Sequence, residues 1–410
     1  MHKEECKELV ADLIYKVTKE STGNFEVIKL RYRKTALSVL SYLVESILSI
    51  LLLLRNYKSL SPDIIHAHNY LAAIWALFVG KIIGVPVVVT EHGFHREGDD
   101  YKKYVLEPLR NYFRYVSAKT VFNLADMLIF VSRASRDHIS QKFNVATTNR
   151  VVPNVLNKRF MNIKLQPNEN RDRKKILFIG GLYPRKGVEY LLEAIRIVAQ
   201  ERTDFVVEII GYGPYRQQYE ALTSKLGLKN FVSFLGRVSD EEKIEALKNC
   251  DFFVLPSLFE NFGIVLIEAM ACGKPVVTTS SGGQVEFVNE NNGLLVQPKD
   301  SIALAEAIKY MLNNSTKYSP KEISGYVRKR FNYNTVGKTL QQIYVELMMK
   351  KKPKIKTFLG ELEVEAVYTD SHNYWAVTGK GLSRRSWMIT KAEYDRLKRE
   401  LEQGTVNEDI

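Results

Sequence analysis

Cysteine is nearly absent: Cys6, Cys250 and Cys272 are the only three in 410 residues. They are too few and too scattered for a disulfide framework or a cysteine-rich metal site, and they place the chain in a reducing compartment. The first residues, Met1 to Cys6, are charged and carry no apolar leader. Acid is in deficit, with 46 Asp and Glu against 59 Lys and Arg, a net charge of +13. That surplus suits a polyanion, an anionic membrane surface or a phosphorylated substrate without choosing among them. Repeats of solenoid period are missing. A composition of 45% apolar and 26% charged residues excludes a disordered chain and a multi-span membrane protein. Long apolar runs reduce to one, Ala36–Leu54, in which Ser38, Ser41, Glu45 and Ser49 draw a narrow polar stripe along a helix. Three readings of it stay open: a core helix, a helix partly immersed in a membrane interface, or a span, which needs about 20 apolar residues.

What is present is an alternation of strands and helices. Short apolar runs at Ile64-Ile65, Val87–Val89, Leu128–Val131, Ile176–Ile179, Val206–Ile210, Phe252–Leu255 and Val276–Thr278 read as buried strands. Amphipathic stretches such as Val188–Gln200 and Ser301–Leu312 lie between them, and Ser239–Glu242 is a capping box that opens a helix to Asn249. This pattern predicts parallel sheets covered by helices, and the length predicts two or three domains. A polar stretch from Asn162 to Lys175 reads as a linker between two α/β regions. A long helix near Asn334–Lys350 and a lysine cluster follow, then a tail, Phe358 to Ile410, with two or three strands and a charged helix over Lys391–Gln403.

In open parallel sheets ligands bind beyond the carboxyl ends of the strands. Ile176–Ile179 is followed by Gly180-Gly181-Leu182-Tyr183-Pro184-Arg185-Lys186-Gly187, and Val206–Ile210 by Gly211-Tyr212-Gly213-Pro214. Each alone is an ordinary tight turn. Two in one domain, with cations before a helix N-terminus, suggest a phosphorylated ligand. After Phe252–Leu255 come Glu260 in a loop, Gly263 at the head of a helix, and Glu268 about a turn and a half further on. Carboxylates suit vicinal diols, and free helix amides suit phosphate. The spacing fits a nucleotide sugar, or equally two unrelated surface glutamates.

The segment Pro256–Val277 resembles the Glu-x7-Glu motif of the retaining glycosyltransferases of family 4. The resemblance extends through Asp63–His68, Gly84-Val85-Pro86, Thr90-Glu91-His92-Gly93, Ala125-Asp126, Val131-Ser132 and Val152-Pro153-Asn154, and through Gly180–Gly187, Gly211–Pro214, Gly282-Gly283 with Glu286, and Gly293–Val296. It implies an α/β chain of the GT-B fold: two Rossmann-like domains facing a cleft, here with a small C-terminal α+β tail. The expected limits are 1–165 for the acceptor-side domain, 166–330 for the nucleotide-sugar domain, 331–352 for a helix returning to the first domain, and 353–410 for the tail.

The resemblance further implies a retaining, metal-independent hexosyltransferase without a cofactor. Its partners would be a nucleotide-diphosphate sugar and a glycan or polyprenyl- or lipid-linked acceptor, with the chain either free in the cytoplasm or peripheral on the inner face of the cell membrane. By position, His92, Glu260 and Lys186 would be catalytic. Gly180, Arg185, Lys186, Gly211, Gly263, Ile264, Val265 and Glu268 would bind the donor, Gly180 and Gly211 shaping the phosphate cradle, Glu268 holding the ribose and Glu260 the transferred sugar. Asn154 would be structural. Relatives commonly carry Arg where Gly181 stands, so Arg185 is the candidate second cation. The family also begins with an apolar strand and a Gly-rich turn, whereas this sequence begins within an expected helix, Lys3–Val17. A late start, with residues 1–410 poorly stable and weakly active alone, is the expectation. A catalytically degenerate nucleotide-sugar-binding scaffold is the main alternative.

Other readings carry less. His66, His68, His92 and His95 could gather around zinc, but no acid or cysteine lies at ligand spacing. No Asp-x-Asp pair occurs, and neither glycine turn completes the G-x-G-x-x-G of a nicotinamide enzyme. Tyr374, Trp375 and Trp387 interleave with Lys380, Arg384 and Arg385, which would admit nucleic acid, but aromatics at strand spacing favour a small core. Tyr101–Lys119 mixes aromatic and basic residues as an anionic membrane contact would.

Overall fold

The computed structural model describes residues 14–22, 25–32, 62–93, 107–166, 172–350, 354–357, 360–369, 374–378 and 385–405. The apolar run Ala36–Leu54, His95, Lys380, Arg384 and the first part of Tyr101–Lys119 lie outside them. Strands β1 (Ile14–Thr22) and β2 (Phe25–Tyr32) pair antiparallel as a separate two-stranded sheet. This corrects the helix expected over Lys3–Val17, whose last four residues are strand. Ile14, Val17, Thr18 and Thr22 favour extended backbone, and Gly23-Asn24 between the strands is a hairpin signal that the helical reading passed over.

The first α/β layer is a parallel sheet in the order β3-β4-β5-β6, comprising Ile65–His68, Val87–Glu91, Met127–Phe130 and Asn149–Val151. Its helices are α1 (Tyr70–Ile83), α2 (Glu107–Leu124) and α3 (Arg133–Phe143). Alternation along the strands divides their side chains between the two faces. Val87, Val89, Leu128 and Phe130 pack with Ala73, Leu77, Phe122 and Ile139 of the three helices. Val88, Met127 and Ile129 point the other way and are covered by α11 (Tyr333–Lys350), through Val336, Leu340, Ile343 and Leu347. Those four recur at steps of four, three and four, the single stripe a helix needs to close one sheet face.

The second sheet is parallel and six-stranded, in the order β12-β11-β10-β7-β8-β9. Its strands are β7 (Lys174–Ile179), β8 (Phe205–Ile210), β9 (Val232–Gly236), β10 (Phe252–Leu255), β11 (Val276–Thr279) and β12 (Gly293–Val296). Strands β10 and β11 are buried at every residue, as a sheet covered on both faces requires. The covering helices are α5 (Val188–Ala199), α6 (Arg216–Lys225), α7 (Asp240–Asn249), α8 (Ile264–Ala271), α9 (Ser301–Asn314) and α10 (Pro320–Arg330). The capping box at Ser239 forms with both of its bonds. A short helix, α4 (Lys158–Met161), lodges Phe160 in this second core.

The chain passes between the two layers twice. The passages are bound side by side by Leu156 N–H to the Phe331 carbonyl at 2.8 Å and by Lys158 N–H to the Tyr333 hydroxyl at 3.2 Å. Among its described residues the tail holds four strands rather than two or three: β13 (Lys354–Thr357), β14 (Gly360–Thr369), β15 (Tyr374–Thr378) and β16 (Arg385–Ile389), an antiparallel meander. Helix α12 (Lys391–Thr405) packs on it, with Leu397 buried against Ala376. Among the described residues no helix is long and apolar enough to cross a membrane.

Candidate active site

Strand ends of the second sheet bring four of the expected site residues together: Lys186, Glu260, Gly180 and Gly211. Lys186 ends a one-turn 3-10 segment, Pro184–Lys186, after β7, and its ammonium is ion-paired with Glu260 Oε1. Ser257 Oγ donates to the same carboxylate oxygen at 2.7 Å. Both members of the pair are largely withdrawn from water, so removing either leaves a poorly solvated charge. The backbone of Glu260 is also fixed: its carbonyl accepts from Gly283 N–H at 2.8 Å.

Gly180 N–H bonds the Ile210 carbonyl at 3.0 Å, and Gly211 N–H bonds the Gly236 carbonyl at 2.8 Å, stitching the ends of three strands into one floor. Gly211 has φ 151°, and a β-carbon there would lie 1.8 Å from the Gly180 carbonyl oxygen, so no other residue fits. Gly263 heads α8 and, having no side chain, supplies no cap to the helix's first amides, among them those of Ile264 and Val265. Glu268, buried on α8, receives the Lys243 ammonium on both oxygens at 3.1 Å. Burial raises the Glu268 carboxyl, and Lys243 opposes that rise.

At Gly181 a β-carbon would meet the Tyr183 ring at 2.7 Å. An aromatic ring thus occupies the ground that a longer side chain would need. Arg185 is half-buried, and its carbonyl accepts from Leu258 N–H at 2.8 Å. Tyr212 and Arg237, at the ends of β8 and β9, form a cation–π pair 3.9 Å apart.

The facing wall is built from histidine. His66, His68 and His92 stack in sequence, with ring centroids 4.7 Å and 5.2 Å apart. His68 Nδ1 and His92 Nε2 share a hydrogen bond of 2.9 Å. His66 bonds the Thr90 hydroxyl at 2.7 Å and the Tyr344 hydroxyl, on α11, at 2.5 Å. Burial first, then the neighbouring rings, pushes His66 down to about 4. Burial and His68 lower His92, against a hydrogen bond to the Asn154 side chain that favours the protonated ring. The stack is therefore neutral at physiological pH. Among the described residues no three His, Cys, Asp or Glu side chains are placed to hold a metal ion.

Glu91, fully buried, ends β4 beside His92. Its two oxygens accept Tyr70 N–H at 3.0 Å and Gly93 N–H at 2.8 Å. Burial nonetheless pushes its carboxyl up to about 7. The walls meet just beyond: a β-carbon on Gly93 would come within 2.2 Å of the Asn261 side chain. The residues following His92 and Glu260 are thus in contact. Cys250 and Cys272 are buried, with thiols pushed up to about 12, and take no part.

Sequence reasoning assigned no role to Glu91, Lys243, Ser257 or Tyr344. Glu91 had a visible signal, an acid at the end of an otherwise apolar strand. Tyr344 had none, since its partner His66 is 278 residues away.

Two family models match in tandem, Glycosyltransferase Family 4 over residues 21–159 and Glycosyl transferases group 1 over residues 160–330. An uncharacterised glycosyltransferase of Methanocaldococcus jannaschii is 30% identical over 289 residues, covering 70% of this chain and 76% of that protein. The alpha-D-kanosaminyltransferase of Streptomyces kanamyceticus is 25% identical over 320 residues, 73% of this chain and 82% of that one. Among solved structures, sucrose-phosphate synthase from Thermosynechococcus elongatus superposes with a TM-score of 0.68 at 23% identity, over 82% of this chain and 86% of that chain. Anabaena HepE, in complex with UDP and glucose, superposes with a TM-score of 0.60 at 23% identity, over 76% of this chain and 83% of that chain. Two parallel sheets walling one cleft, carrying both family models in order, make this chain a glycosyltransferase of family 4, group 1, with the GT-B fold.

Proposed function

We propose that the chain moves a hexose, with retention at the anomeric carbon and without a metal, from a nucleotide-diphosphate sugar to a glycan or a polyprenyl- or lipid-linked acceptor. The observation that carries this reading is the Lys186–Glu260 pair, backed by Ser257, on the wall facing His92. A donor would exchange that internal pairing for its own groups, the diphosphate taking Lys186 and the sugar hydroxyls taking Glu260. Lys186 and the amides at Gly263, Ile264 and Val265 would stabilise the charge that grows on the departing phosphate, worth roughly 3 kcal/mol per well-placed donor. The same phosphate oxygen would take the acceptor proton, so that departure and attack share one face. Glu268, held by Lys243, would receive the ribose diol, and neutral His92 would offer a ring nitrogen to the transferred sugar.

HepE holds UDP and glucose, so UDP-glucose heads the donor panel. The test is a thermal-shift screen of nucleotide sugars followed by sugar release: a ligand at about 100 times its Kd adds roughly 2.7 kcal/mol of stability. No shift with any nucleotide sugar or nucleoside diphosphate would sink the reading. The Tyr183 ring over Gly181 favours the second reading, a scaffold that binds a nucleotide sugar without transferring it. Binding without sugar release or transfer selects it.

The acceptor side supports attachment to the inner face of an anionic membrane. Tyr112, Phe113, Tyr115 and Val116 of α2 and Phe78 and Ile82 of α1 are exposed on helices that pack together. Flotation that shows no preference for anionic vesicles at low salt would favour a soluble acceptor in the cytoplasm.

A further inference from the structure

Helix α3 begins with Arg133 and has no acid in its first turn, and Asp137, the acid that follows, is paired with Arg136 at 2.8 Å. The helix dipole is positive at its start, so the local sequence supplies the wrong sign of charge. The missing anion comes from the other sheet's domain. Glu286 Oε1 accepts Arg133 N–H at 2.6 Å and Ala134 N–H at 3.4 Å, the first two amides of the helix. Ser132, the helix's own cap, accepts Ser135 N–H at 3.0 Å and donates to the Asn261 carbonyl at 2.5 Å. One helix end is thus completed by two domains.

The turn that delivers Glu286 is tied down by hydrogen bonds. It is a one-turn 3-10 segment, Gly283–Glu286, in which buried Gln284 donates to the carbonyls of Thr279 at 2.9 Å and Ser281 at 2.7 Å. The same turn holds the Glu260 carbonyl through Gly283 N–H. A β-carbon at Gly283 would lie 2.8 Å from Ser132 Cβ and 2.4 Å from the Asn261 carbonyl oxygen, so only glycine permits the approach. Away from this contact, the domains are joined by the two chain passages, bonded to each other at Leu156 and Phe331.

We propose that Glu286 is a positioning residue for transfer: its carboxylate caps α3 across the cleft, closes the two domains, and fixes the wall of His92 against Glu260. The proposal rests on the cleft being the transfer site. It assigns Glu286 no contact with donor or acceptor. Its removal acts on the geometry of the closed state and leaves the donor-binding wall, which lies within one domain, as it was.

The test uses the full chain with UDP and UDP-glucose. Glu286→Ala should lower kcat for sugar release roughly ten- to hundredfold, the loss typical of a misplaced reacting group, while KM stays within about threefold. Small-angle scattering should show it less compact than the wild type. Gly283→Ala, which keeps the carboxylate but drives a methyl against Ser132 across the cleft and against the Asn261 carbonyl beside Glu260, should also be less compact, with KM for the donor affected as well. Glu286→Gln, which keeps one acceptor oxygen without the charge, should fall between. A Glu286→Ala chain with wild-type kcat or wild-type compactness overturns the proposal. If the wild type neither binds UDP nor releases sugar, the transfer reading falls on its own account. Scattering then decides the closure contact, with equal compactness of wild type, Glu286→Ala and Gly283→Ala refuting it.

Discussion

The two walls of the cleft handle charge in opposite ways. The wall on the six-stranded sheet keeps its charges and pairs them, Lys186 with Glu260 and Lys243 with Glu268. The wall on the four-stranded sheet removes charge: three stacked histidines are held neutral, and Glu91 is pushed toward its protonated form. Paired charges can be traded for those of an ionic ligand at modest cost. Neutral buried groups hold a shape and present hydrogen bonds. On the proposed reading the donor would trade its groups for the paired charges of the first wall, while the second would offer neutral hydrogen bonds to the transferred sugar.

Breaking the charged wall should have the largest effect. Lys186→Ala removes the cation proposed for the leaving diphosphate and leaves Glu260 with Ser257 alone. Turnover should fall by about 10²–10³ with the fold intact. Circular dichroism with single-turnover sugar release checks both, and near-normal turnover would remove Lys186 from the mechanism.

The neutral wall is tested through pH. The Glu91 carboxyl is raised from 4.5 to about 7, so the folded state holds its proton more tightly than the unfolded chain does. Its contribution is complete below pH 4.5 and is lost as pH rises through 7. The shift is worth roughly 3 kcal/mol. His66 works in the opposite sense: lowered from 6.5 to about 4, its contribution is complete above pH 6.5 and is lost as pH falls toward 4. Comparing wild type with Glu91→Gln cancels the histidine contribution. The wild type should lose about 3 kcal/mol relative to the variant between pH 4.5 and 8 in urea unfolding. A pH-independent difference would mean that Glu91 is ionised throughout.

The comparison also explains what could be read from sequence. Strands such as Phe252–Leu255 are continuous apolar runs, and the capping box at Ser239 has fixed spacing, so both are local and legible. Glu260, Gly263 and Glu268 share one loop and helix, and their order survives in a linear text. Strand β9 was missed because Val232-Ser233-Phe234 is half exposed and lacks a buried run. The contacts of Lys186 with Glu260 and of His66 with Tyr344 span 74 and 278 residues, and only the folded sheets bring them together. Of the hairpin Ile14–Tyr32, only Ile14–Val17 falls in the helix expected over Lys3–Val17, and the β-branched residues that favour a strand lie mostly beyond it.

The charged wall allows a finer cut at Glu268. Lys243→Met removes the cation from both of its oxygens while keeping the length of the side chain. If the pair prepares Glu268 for a ribose diol, UDP affinity should fall about tenfold, or 1.4 kcal/mol, measured by calorimetry. Inorganic pyrophosphate, which has no ribose, should bind the variant as it binds the wild type. An equal loss for both ligands would place Lys243 on the phosphates instead.

The smallest expected effect lies where the neutral wall meets the returning helix. Tyr344 on α11 bonds His66 at 2.5 Å, and its ring meets the imidazole edge-on at 5.7 Å. Tyr344→Phe keeps the ring and deletes the hydroxyl, leaving one nitrogen of a half-buried imidazole without its partner. The cost should be about 1 kcal/mol of stability, the usual net worth of such a bond. Because an orphaned imidazole nitrogen is relieved by taking a proton, His66 should also titrate at a higher pH, visible in its ring proton resonances. Sugar release at pH 8 should change little, since the stack is neutral there in either chain. A loss of turnover at pH 8 comparable to that of Lys186→Ala would show that α11 governs the neutral wall and does more than cover it.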